Sequence, residues 1–455
     1  SPWFGGGDCD DRDPRRSPLA VDLPDNQIDE DCSGADLHLE RRPTAEPSAE
    51  APAAPRPRVP PDLNVVFITV DTLRPDLGFM GYPKPTSPNL DALAAKGVIF
   101  DRMYSLASYT GKSIGPLFIG KYPSETRRDG GHFNTYLSQN TFVAERLKAA
   151  GVHTLGAASH WYFEPWSGLS QGMDTWDLRA MPSGGQGDND TSITSKELSD
   201  RAIYLLGKPE HTSKRFFMWL HYFDPHEQYM PHDGAPDFGT GSRAAYDGEV
   251  WFTDKHIGRV LDYIASQPWG ERTAIVVTAD HGEMFGEHGM RWHGYELWEG
   301  LVHVPFVVYV PGVAAHHVPV KRSHVDVAPT VLDLMNVWRP AEGELSGESM
   351  IDDVMAQPRA GGAPHEYVER DVYIDMPPGP FTGMRHALIH GATPGMKLVH
   401  TDSGQYQLFD LAADPDEKED LSGDAARLAD MVGRFQAKRG SLREIEVKPT
   451  PATAP

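Results

Sequence analysis

The fold of this chain is decided by the stretch Ile275-Val276-Val277-Thr278-Ala279-Asp280-His281-Gly282-Glu283. Its β-branched residues predict a buried strand, and the strand ends in a carboxylate, an imidazole and a glycine. A second apolar run, 65–70, ends in Asp71 in the same way. Because open α/β sheets place their sites outside the carboxyl ends of their strands, we expect Asp71, Asp280 and His281 to lie together.

A ligand set of carboxylate oxygens and an imidazole nitrogen suits a divalent cation. Zinc is the expected ion, at one or two per chain, and manganese and calcium are the alternatives. A metal held at the edge of an α/β sheet indicates a metal-dependent hydrolase or transferase.

Composition limits the classes of partner. With 455 residues, 39% of them hydrophobic, the chain is long enough for one large domain plus smaller pieces. Lys and Arg number 42 against 65 Asp and Glu, and a net charge of -23 repels nucleic acid, so no nucleic-acid partner is expected. No apolar run approaches the roughly 20 residues of a membrane span, so no transmembrane segment is expected.

The two cysteines of the chain, Cys9 and Cys32, lie in an acidic N-terminal segment. They predict one disulfide and an extracytoplasmic protein, whether periplasmic, secreted or lipid-anchored; the alternative is a pair of free thiols. The same segment resembles the Asp/Cys-rich calcium-type repeats of secreted proteins, and the alternative is a solvated acidic tail. The candidate calcium ligands are Asp8, Asp10, Asp13, Asp29 and Asp31.

Composition also divides the chain into four parts. Residues 1–40 form the acidic module, and residues 41–61, which are rich in Pro and Ala, form a linker. Residues 62–355 form the catalytic domain, and residues 356–445 form a C-terminal subdomain that completes the same fold.

Within the catalytic domain, strand-like runs alternate with amphipathic helical patterns. The strand-like runs are 64–70, 98–104, 152–157, 216–221, 273–279 and 304–310, and the helical patterns include 88–96, 141–150 and 246–264. This alternation predicts an α/β fold with a large mixed, mostly parallel sheet sandwiched by helices. Later strand-like runs, 396–399 and 406–409, precede a helical pattern at about 424–438, which predicts a small C-terminal antiparallel sheet and a closing helix.

Several short motifs occur in the order that one enzyme family shows. They are 64–76, 86–91, 120–123, 221–226, 279–283 and 406–411. Through them the body, from about Asn64 to Leu421, resembles the sulfatase branch of the alkaline phosphatase superfamily. The resemblance implies that family's α/β fold, a divalent metal, and cleavage of a sulfate or phosphate ester.

The chain departs from the sulfatases at the nucleophile. Sulfatases carry Cys-x-Pro-x-Arg, whose cysteine becomes formylglycine, and those positions hold Thr110, Lys112 and Ile114 here. Threonine is not converted to formylglycine, and Thr110 resembles instead the unmodified threonine nucleophile of lipid A phosphoethanolamine transferases. Those enzymes also have a histidine twelve residues after the metal-binding one, where His293 stands, and a second in a setting like that of His226.

The resemblance implies a role for each of these side chains. The ligands that it implies for a first metal are Asp71, Thr110, Asp280 and His281. His226 and His293 either bind a second metal or protonate the leaving group. Lys112 balances charge on the substrate oxygens, and His160 holds the substrate. Ser113 is the rival nucleophile, in which case Thr110 is an ordinary N-cap for a helix from about Ser113.

The sequence therefore predicts a metal-dependent hydrolase of phosphate monoesters or diesters, with a covalent intermediate on Thr110. The alternatives are a sulfatase that does without formylglycine, a phosphoryl transferase, and an inactive binding protein with a sulfatase fold. The ester belongs to a small molecule, a glycan or a lipid, and no oligomeric state is indicated. Large aromatic residues either line a pocket for an apolar leaving group or belong to the core; they are Trp161, Tyr162, Trp166 and Trp292.

Overall fold

The computed structural model describes residues 59–182, 193–337, 340–341, 343–356 and 365–447. The chain divides into two compact units, and the larger one, Pro57–Tyr136 with Asn140–Pro455, contains every element described below. The predicted N-terminal module, its calcium ligands and the Cys9–Cys32 disulfide lie outside the described residues.

Thirteen strands and ten α-helices lie within the described residues. The strands are β1 (Asn64–Val70), β2 (Val98–Tyr104), β3 (His153–Ala158), β4 (Thr175–Asp177), β5 (Phe216–Tyr222), β6 (Thr273–Ala279), β7 (His303–Val304), β8 (Phe306–Tyr309), β9 (His316–Ser323), β10 (Val372–Met376), β11 (Arg385–His390), β12 (Met396–Thr401) and β13 (Tyr406–Asp410). The helices are α1 (Pro88–Ala94), α2 (Thr110–Ile119), α3 (Val143–Ala149), α4 (Ser195–Leu206), α5 (Pro209–Thr212), α6 (Ser242–Ala265), α7 (Glu299–Val302), α8 (Val327–Leu334), α9 (Ile351–Val354) and α10 (Ala425–Gly440). Among these helices, none combines the length and the apolar composition that crossing a bilayer requires.

Nine strands form one mixed sheet in the order β4-β3-β5-β1-β6-β8-β2-β7, with β9 also paired to β2. The pairs from β4 to β6 are parallel, and β8 runs antiparallel to both β6 and β2. The three central strands, β5, β1 and β6, are buried along their whole length. These features confirm the predicted α/β fold with a large, mostly parallel sheet.

The helices pack in two groups. Helix α6 contacts α1 and α4, whereas α8 contacts α2 and α3. The central strands and helices from both groups share one apolar core, which includes Phe67, Val276, Ile257 and Leu332. A strand that is buried on both faces needs a nearly continuous apolar sequence, which is why these strands were recognisable as unbroken runs.

The register of the central strands positions the candidate site. Val70, the last residue of β1, pairs with Tyr222 of β5 on one side and with Ala279 of β6 on the other. The next residues after β1 and β6 are Asp71 and Asp280. Parallel pairing in this register therefore brings both carboxylates to the same edge of the sheet.

Strands β10 to β13 form a separate four-stranded antiparallel sheet, and α10 packs against it. Leu388 and Leu408 of this sheet share an apolar cluster with Met431 and Phe435 of the helix. The predicted C-terminal sheet and closing helix are thereby confirmed. The domain boundaries drawn from composition stay predictions.

Strands β4, β10 and β11 were not predicted, and three further differences from the sequence-based expectation have a clear physical reason. The run 304–310 is split into β7 and β8 at Pro305, because proline has no N–H for the strand ladder. The helix expected from about Ser113 begins at Thr110 and has Tyr109 as its N-cap, so Thr110 is not the cap. Strand β9 escaped prediction because His, Lys, Arg and Ser make up most of its sequence.

His324 is a fully buried histidine that the fold keeps neutral. Its Nε2 lies 2.9 Å from the Thr278 hydroxyl, which itself donates to Pro305 O at 2.8 Å, so the hydroxyl accepts from an Nε2–H. Nδ1 has no hydrogen-bond partner, and a proton there would be a buried charge without an acceptor. Burial accordingly lowers the pKa of His324 from 6.5 to about 3.

The unfolded chain binds this proton below about pH 6.5, whereas the folded chain does not bind it until about pH 3, so the stabilising contribution of His324 is lost as the pH falls through this window. Between pH 7 and pH 5 the free energy of unfolding of the wild type should fall by about 2 kcal/mol because of this histidine. H324Q lacks the titrating ring, so we expect its free energy of unfolding to fall by that much less over the same pH range. Urea denaturation at both pH values measures the free energy of unfolding, and the control is H317Q, which replaces an exposed histidine. Equal acid sensitivity in H324Q and wild type would contradict a buried neutral ring.

Candidate functional site

Two buried carboxylates lie at the centre of the candidate site. Asp71 follows β1 and Asp280 follows β6, and both are almost entirely excluded from solvent. Asp280 Oδ1 accepts hydrogen bonds from the backbone N–H groups of Thr72 at 3.3 Å and His281 at 2.9 Å. Asp280 Oδ2 is buried and has no hydrogen-bond partner, so one oxygen of this carboxylate remains available to a cation.

The first of two imidazoles beside these carboxylates belongs to His281. Its Nδ1 lies 2.9 Å from Gly282 O, and because a carbonyl only accepts, this nitrogen carries the proton. Nε2 therefore turns its lone pair toward the site, 3.5 Å from Asp71 Oδ1 and 3.6 Å from Asp280 Oδ2. This is the neutral form that a metal-binding histidine uses.

The second imidazole belongs to His221 at the end of β5. Its Nδ1 lies 2.9 Å from the hydroxyl of Thr69, to which it is paired across the sheet, and Trp219 Nε1 donates to the same hydroxyl at 2.9 Å. The Thr69 hydroxyl in turn donates to Leu220 O, so it accepts from the Nδ1–H of His221. Nε2 is left with its lone pair, 3.6 Å from Asp71 Oδ2 and without a hydrogen-bond partner.

These residues fit a divalent cation. Ligand atoms of Asp71, His221 and Asp280 all lie within 4.8 Å of one another, and all three residues are buried. Burial and the neighbouring charge of Asp280 raise the pKa of Asp71 to about 6, because two carboxylates are crowded together away from water. A cation offsets this repulsion, and the mixture of carboxylate oxygen and imidazole nitrogen suits zinc or manganese.

Thr110 lies beside this group as the first residue of α2. Its hydroxyl is 3.3 Å and 3.4 Å from the two carboxylate oxygens of Asp71 and 3.1 Å from His281 Nε2. The N-terminus of a helix also favours negative charge, since its first N–H groups have no partner within the helix. The structure thus brings together all four predicted ligands of the first metal.

Two further histidines face the same space. His226 Nδ1 lies 2.7 Å from Glu227 O, and its ring centroid is 5.0 Å from that of His293. His293 Nδ1 lies 3.2 Å from the carboxylate of Glu283. Burial opposes protonation of His293, but the Glu283 carboxylate outweighs it and raises the pKa of His293 to about 9. His293 is therefore positively charged at neutral pH.

These side chains open onto a cavity of about 340 Å3. Its lining consists of Asp71, Tyr109, Thr110, His132, Phe133, His160, Phe223, His226, Trp292, His293, Gly294, Tyr295 and Thr382. The predicted substrate residue His160 belongs to this lining, and its ring stacks on Phe223 with centroids 4.7 Å apart.

Lys112 and Ser113 are among the candidates that lie outside the lining, as are the metal-ligand candidates Asp280 and His281. The Lys112 ammonium donates to Pro377 O at 2.6 Å and to the Thr382 hydroxyl at 3.2 Å, so it ties α2 to the loop after β10. Its predicted role at the substrate oxygens stays a prediction. Ser113 is completely buried and its hydroxyl has no hydrogen-bond partner, which makes Thr110 the better placed of the two rival nucleophiles.

Sequence reasoning missed two residues of this site. His221 closes the predicted strand 216–221 and opens the quoted motif 221–226, but it was given no role at the site; its position next to β1 was the signal that could have identified it. Glu283 was quoted in the Asp280-His281-Gly282-Glu283 motif without a role. In the structure its carboxylate lies 3.2 Å from His293 Nδ1.

Comparison with known proteins identifies the family. The sulfatase family model matches residues 63–337, which is more than half of the chain. The chain therefore belongs to the sulfatase family, a family of ester hydrolases within the alkaline phosphatase superfamily. This confirms the predicted resemblance to the sulfatase family.

Individual relatives are distant. The chain is similar to human iduronate 2-sulfatase, with 25% identity over 334 residues that cover 56% of this chain and 60% of that protein. It is similar to an ulvan-active sulfatase of Formosa agariphila, with 26% identity over 410 residues, 79% of this chain and 77% of the relative. The phosphonate monoester hydrolase of Agrobacterium radiobacter shares the fold, with a TM-score of 0.66 and 20% identity over 83% of this chain and 95% of that chain. The chain thus spans about three fifths of the human relative's length.

The arrangement around His221 leads to a test of the metal site. Replacing Thr69 by Val removes the hydroxyl that fixes the His221 ring, and we expect T69V to bind zinc about 10- to 100-fold more weakly than wild type. Calorimetric titration of chelator-treated protein with zinc measures the affinity. The control is T154V, a buried threonine of β3 whose hydroxyl donates to Gly172 O instead. Equal zinc affinity in T69V and wild type would remove His221 from the ligand set.

Proposed function

We propose that this chain hydrolyses phosphate esters, with the unmodified hydroxyl of Thr110 as the nucleophile. The observation that carries the proposal is the position of that hydroxyl, 3.1 Å from His281 Nε2 and about as close to Asp71. The relatives named above act on sulfate esters and on phosphonate monoesters, which supports an ester of sulfur or phosphorus as the substrate.

The residues that would hold the metal are Asp71, His221, Asp280 and His281. When bound, a divalent metal supplies a Lewis acid that lowers the pKa of a hydroxyl and offsets charge on the ester oxygens. Thr110 gives its proton to the Asp71 carboxylate, toward which it already donates a hydrogen bond. The N-terminus of α2, where Thr110 stands, favours the negative charge of the group that Thr110 attacks.

The reaction proceeds in two steps. The Thr110 oxygen forms a bond to phosphorus while the bond to the leaving oxygen breaks, and His293 gives that oxygen its proton. Water then attacks the phosphorus of the phosphothreonine and gives a proton to the now neutral His293. The bond from phosphorus to the Thr110 oxygen breaks, Asp71 returns its proton to that oxygen, and phosphate leaves. Threonine offers one oxygen, so the transferred group leaves only when a second nucleophile, here water, attacks the phosphorus atom.

Cleavage of sulfate esters is the second candidate. The match of the sulfatase family model over residues 63–337 favours it. Sulfate and phosphate esters share a tetrahedral geometry and differ in charge, so the same hydroxyl and the same leaving-group acid serve both reactions. Turnover of matched aryl phosphate and aryl sulfate substrates decides between the two.

Replacement of Thr110 tests the nucleophile. We expect T110A to lose at least about 1,000-fold in kcat on an aryl phosphate while it keeps its fold and most of its metal. T110S retains a hydroxyl and should keep measurable turnover, and S113A is the matched control one helical turn away. Mass spectrometry of acid-quenched enzyme should find a phosphoryl adduct on the peptide that contains Thr110. Full activity in T110A would move the nucleophile to Ser113 or to water.

The pair of His293 and Glu283 predicts the alkaline limb of the pH profile. His293 acts as an acid, so activity is present below its pKa of about 9 and is lost as the pH rises through that value. Removing the Glu283 charge lowers the pKa of His293, and we expect E283Q to shift the alkaline limb of kcat by about one pH unit or more toward acid.

The control is E287Q, which removes a partly exposed carboxylate that pairs with Arg74 and makes no contact with His293. Profiles of kcat against pH for both variants and wild type measure the shift. An unmoved limb in E283Q would transfer the role of acid to His226.

A further inference from the structure

Exposed aromatic side chains gather at the mouth of the cavity. Trp292 and Tyr295 are each 51% exposed and both line the cavity, and Phe381 is 57% exposed beside His132, with ring centroids 5.2 Å apart. The described residues include eight exposed large hydrophobic side chains; two of them line this cavity, and a third packs against His132 of its wall. Such clustering marks a binding surface, whereas single exposed apolar residues need no explanation.

Trp292 also has a strained backbone. Its φ is +68°, a left-handed conformation that costs free energy for a bulky side chain and that glycine adopts without strain. The conformation is maintained from both sides, since Trp292 N donates to Met284 O at 3.1 Å and the next residue, His293, is held by Glu283. A half-exposed tryptophan in a position suited to glycine contributes little to folding, so its side chain serves another purpose.

A second negative charge on the substrate would need a cationic partner besides His293, which lines the cavity and serves the leaving-group oxygen in the proposed reaction. Among the residues that the structure describes, the lining contains no Lys or Arg, and the ammonium of Lys112 is already bonded to Pro377 O and Thr382 Oγ1. Beyond the histidines, the walls are the aromatic rings of Tyr109, Phe133 and Phe223. A volume of about 340 Å3 accommodates one ring in addition to the ester group.

We propose that Trp292, with Tyr295 and Phe381, forms a stacking platform for the leaving group, and that this group is a flat ring without charge. The proposal rests on the ester hydrolase function proposed above and adds the class of substrate to it. An aryl alcohol and a neutral pyranose both present such a flat apolar face, and neither needs a cationic partner.

The decisive variant is W292G, because glycine relieves the backbone strain while it removes the ring. We expect the ratio of the KM for 4-nitrophenyl phosphate to the KM for methyl phosphate, which has no ring to stack, to rise about 3- to 10-fold. The Tm should fall by no more than about 2 °C, in contrast to the loss that a core tryptophan would cause. W292F should restore most of the affinity. Y204A, which removes an equally exposed aromatic ring far from the cavity, is the control.

Two further measurements separate this proposal from the proposed function. Binding of 2-naphthyl sulfate and of glucose 6-sulfate, measured by calorimetry on wild type and W292G, does not depend on turnover. Weaker binding in W292G supports the platform even if no ester is cleaved, and the ligand that loses more affinity identifies the aryl or the sugar source. Turnover with an equal KM for 4-nitrophenyl phosphate in wild type and W292G would overturn the platform and leave the hydrolase intact. Tighter binding of a uronic acid sulfate than of 2-naphthyl sulfate would also overturn it.

Discussion

The crowding of two buried carboxylates is the constraint on which the site depends. Asp71 and Asp280 follow neighbouring parallel strands, and the register of β1 against β6 leaves them side by side and away from water. Such a pair is costly unless a cation or a shared proton offsets the repulsion. The surrounding groups fit such a cation, because His221 and His281 both turn unprotonated nitrogens toward the pair.

The strand ends could be predicted from sequence, but the pairing of residues on neighbouring strands could not. Asp71, Asp280 and His281 follow unbroken apolar runs, so their shared edge of the sheet was recognisable from the pattern alone. The role of His221 depends on its pairing with Thr69, which lies 152 residues away in the sequence. A local sequence pattern carries no information about a partner that far along the chain. For the same reason, a histidine that closes a buried strand looks like any other strand residue.

Loop residues were harder to predict for a different reason. Glu283 lies in a Gly-rich loop. Only the folded path of this loop shows that the Glu283 carboxylate contacts His293, ten residues later in the sequence. The start of α2 was misplaced because helix boundaries are the least reliable part of a sequence-based prediction, yet that start decides whether Thr110 is a cap or a nucleophile. Small errors of boundary thus have large consequences at the site.

In the proposed site, the residues at the strand ends determine the reaction, and the residues of one loop determine which substrate binds. The sheet edge carries Asp71 and the candidate metal-binding histidines, whereas a single loop carries both His293 and Trp292. This loop is closed by the bridge between Phe285 and Arg291, which keeps the strained Trp292 in place beside the acid. Because strain persists only where the surroundings impose it, the contacts that position the acid also position the aromatic platform. A change in the loop can therefore alter which ester is bound while the buried carboxylates continue to define the reaction.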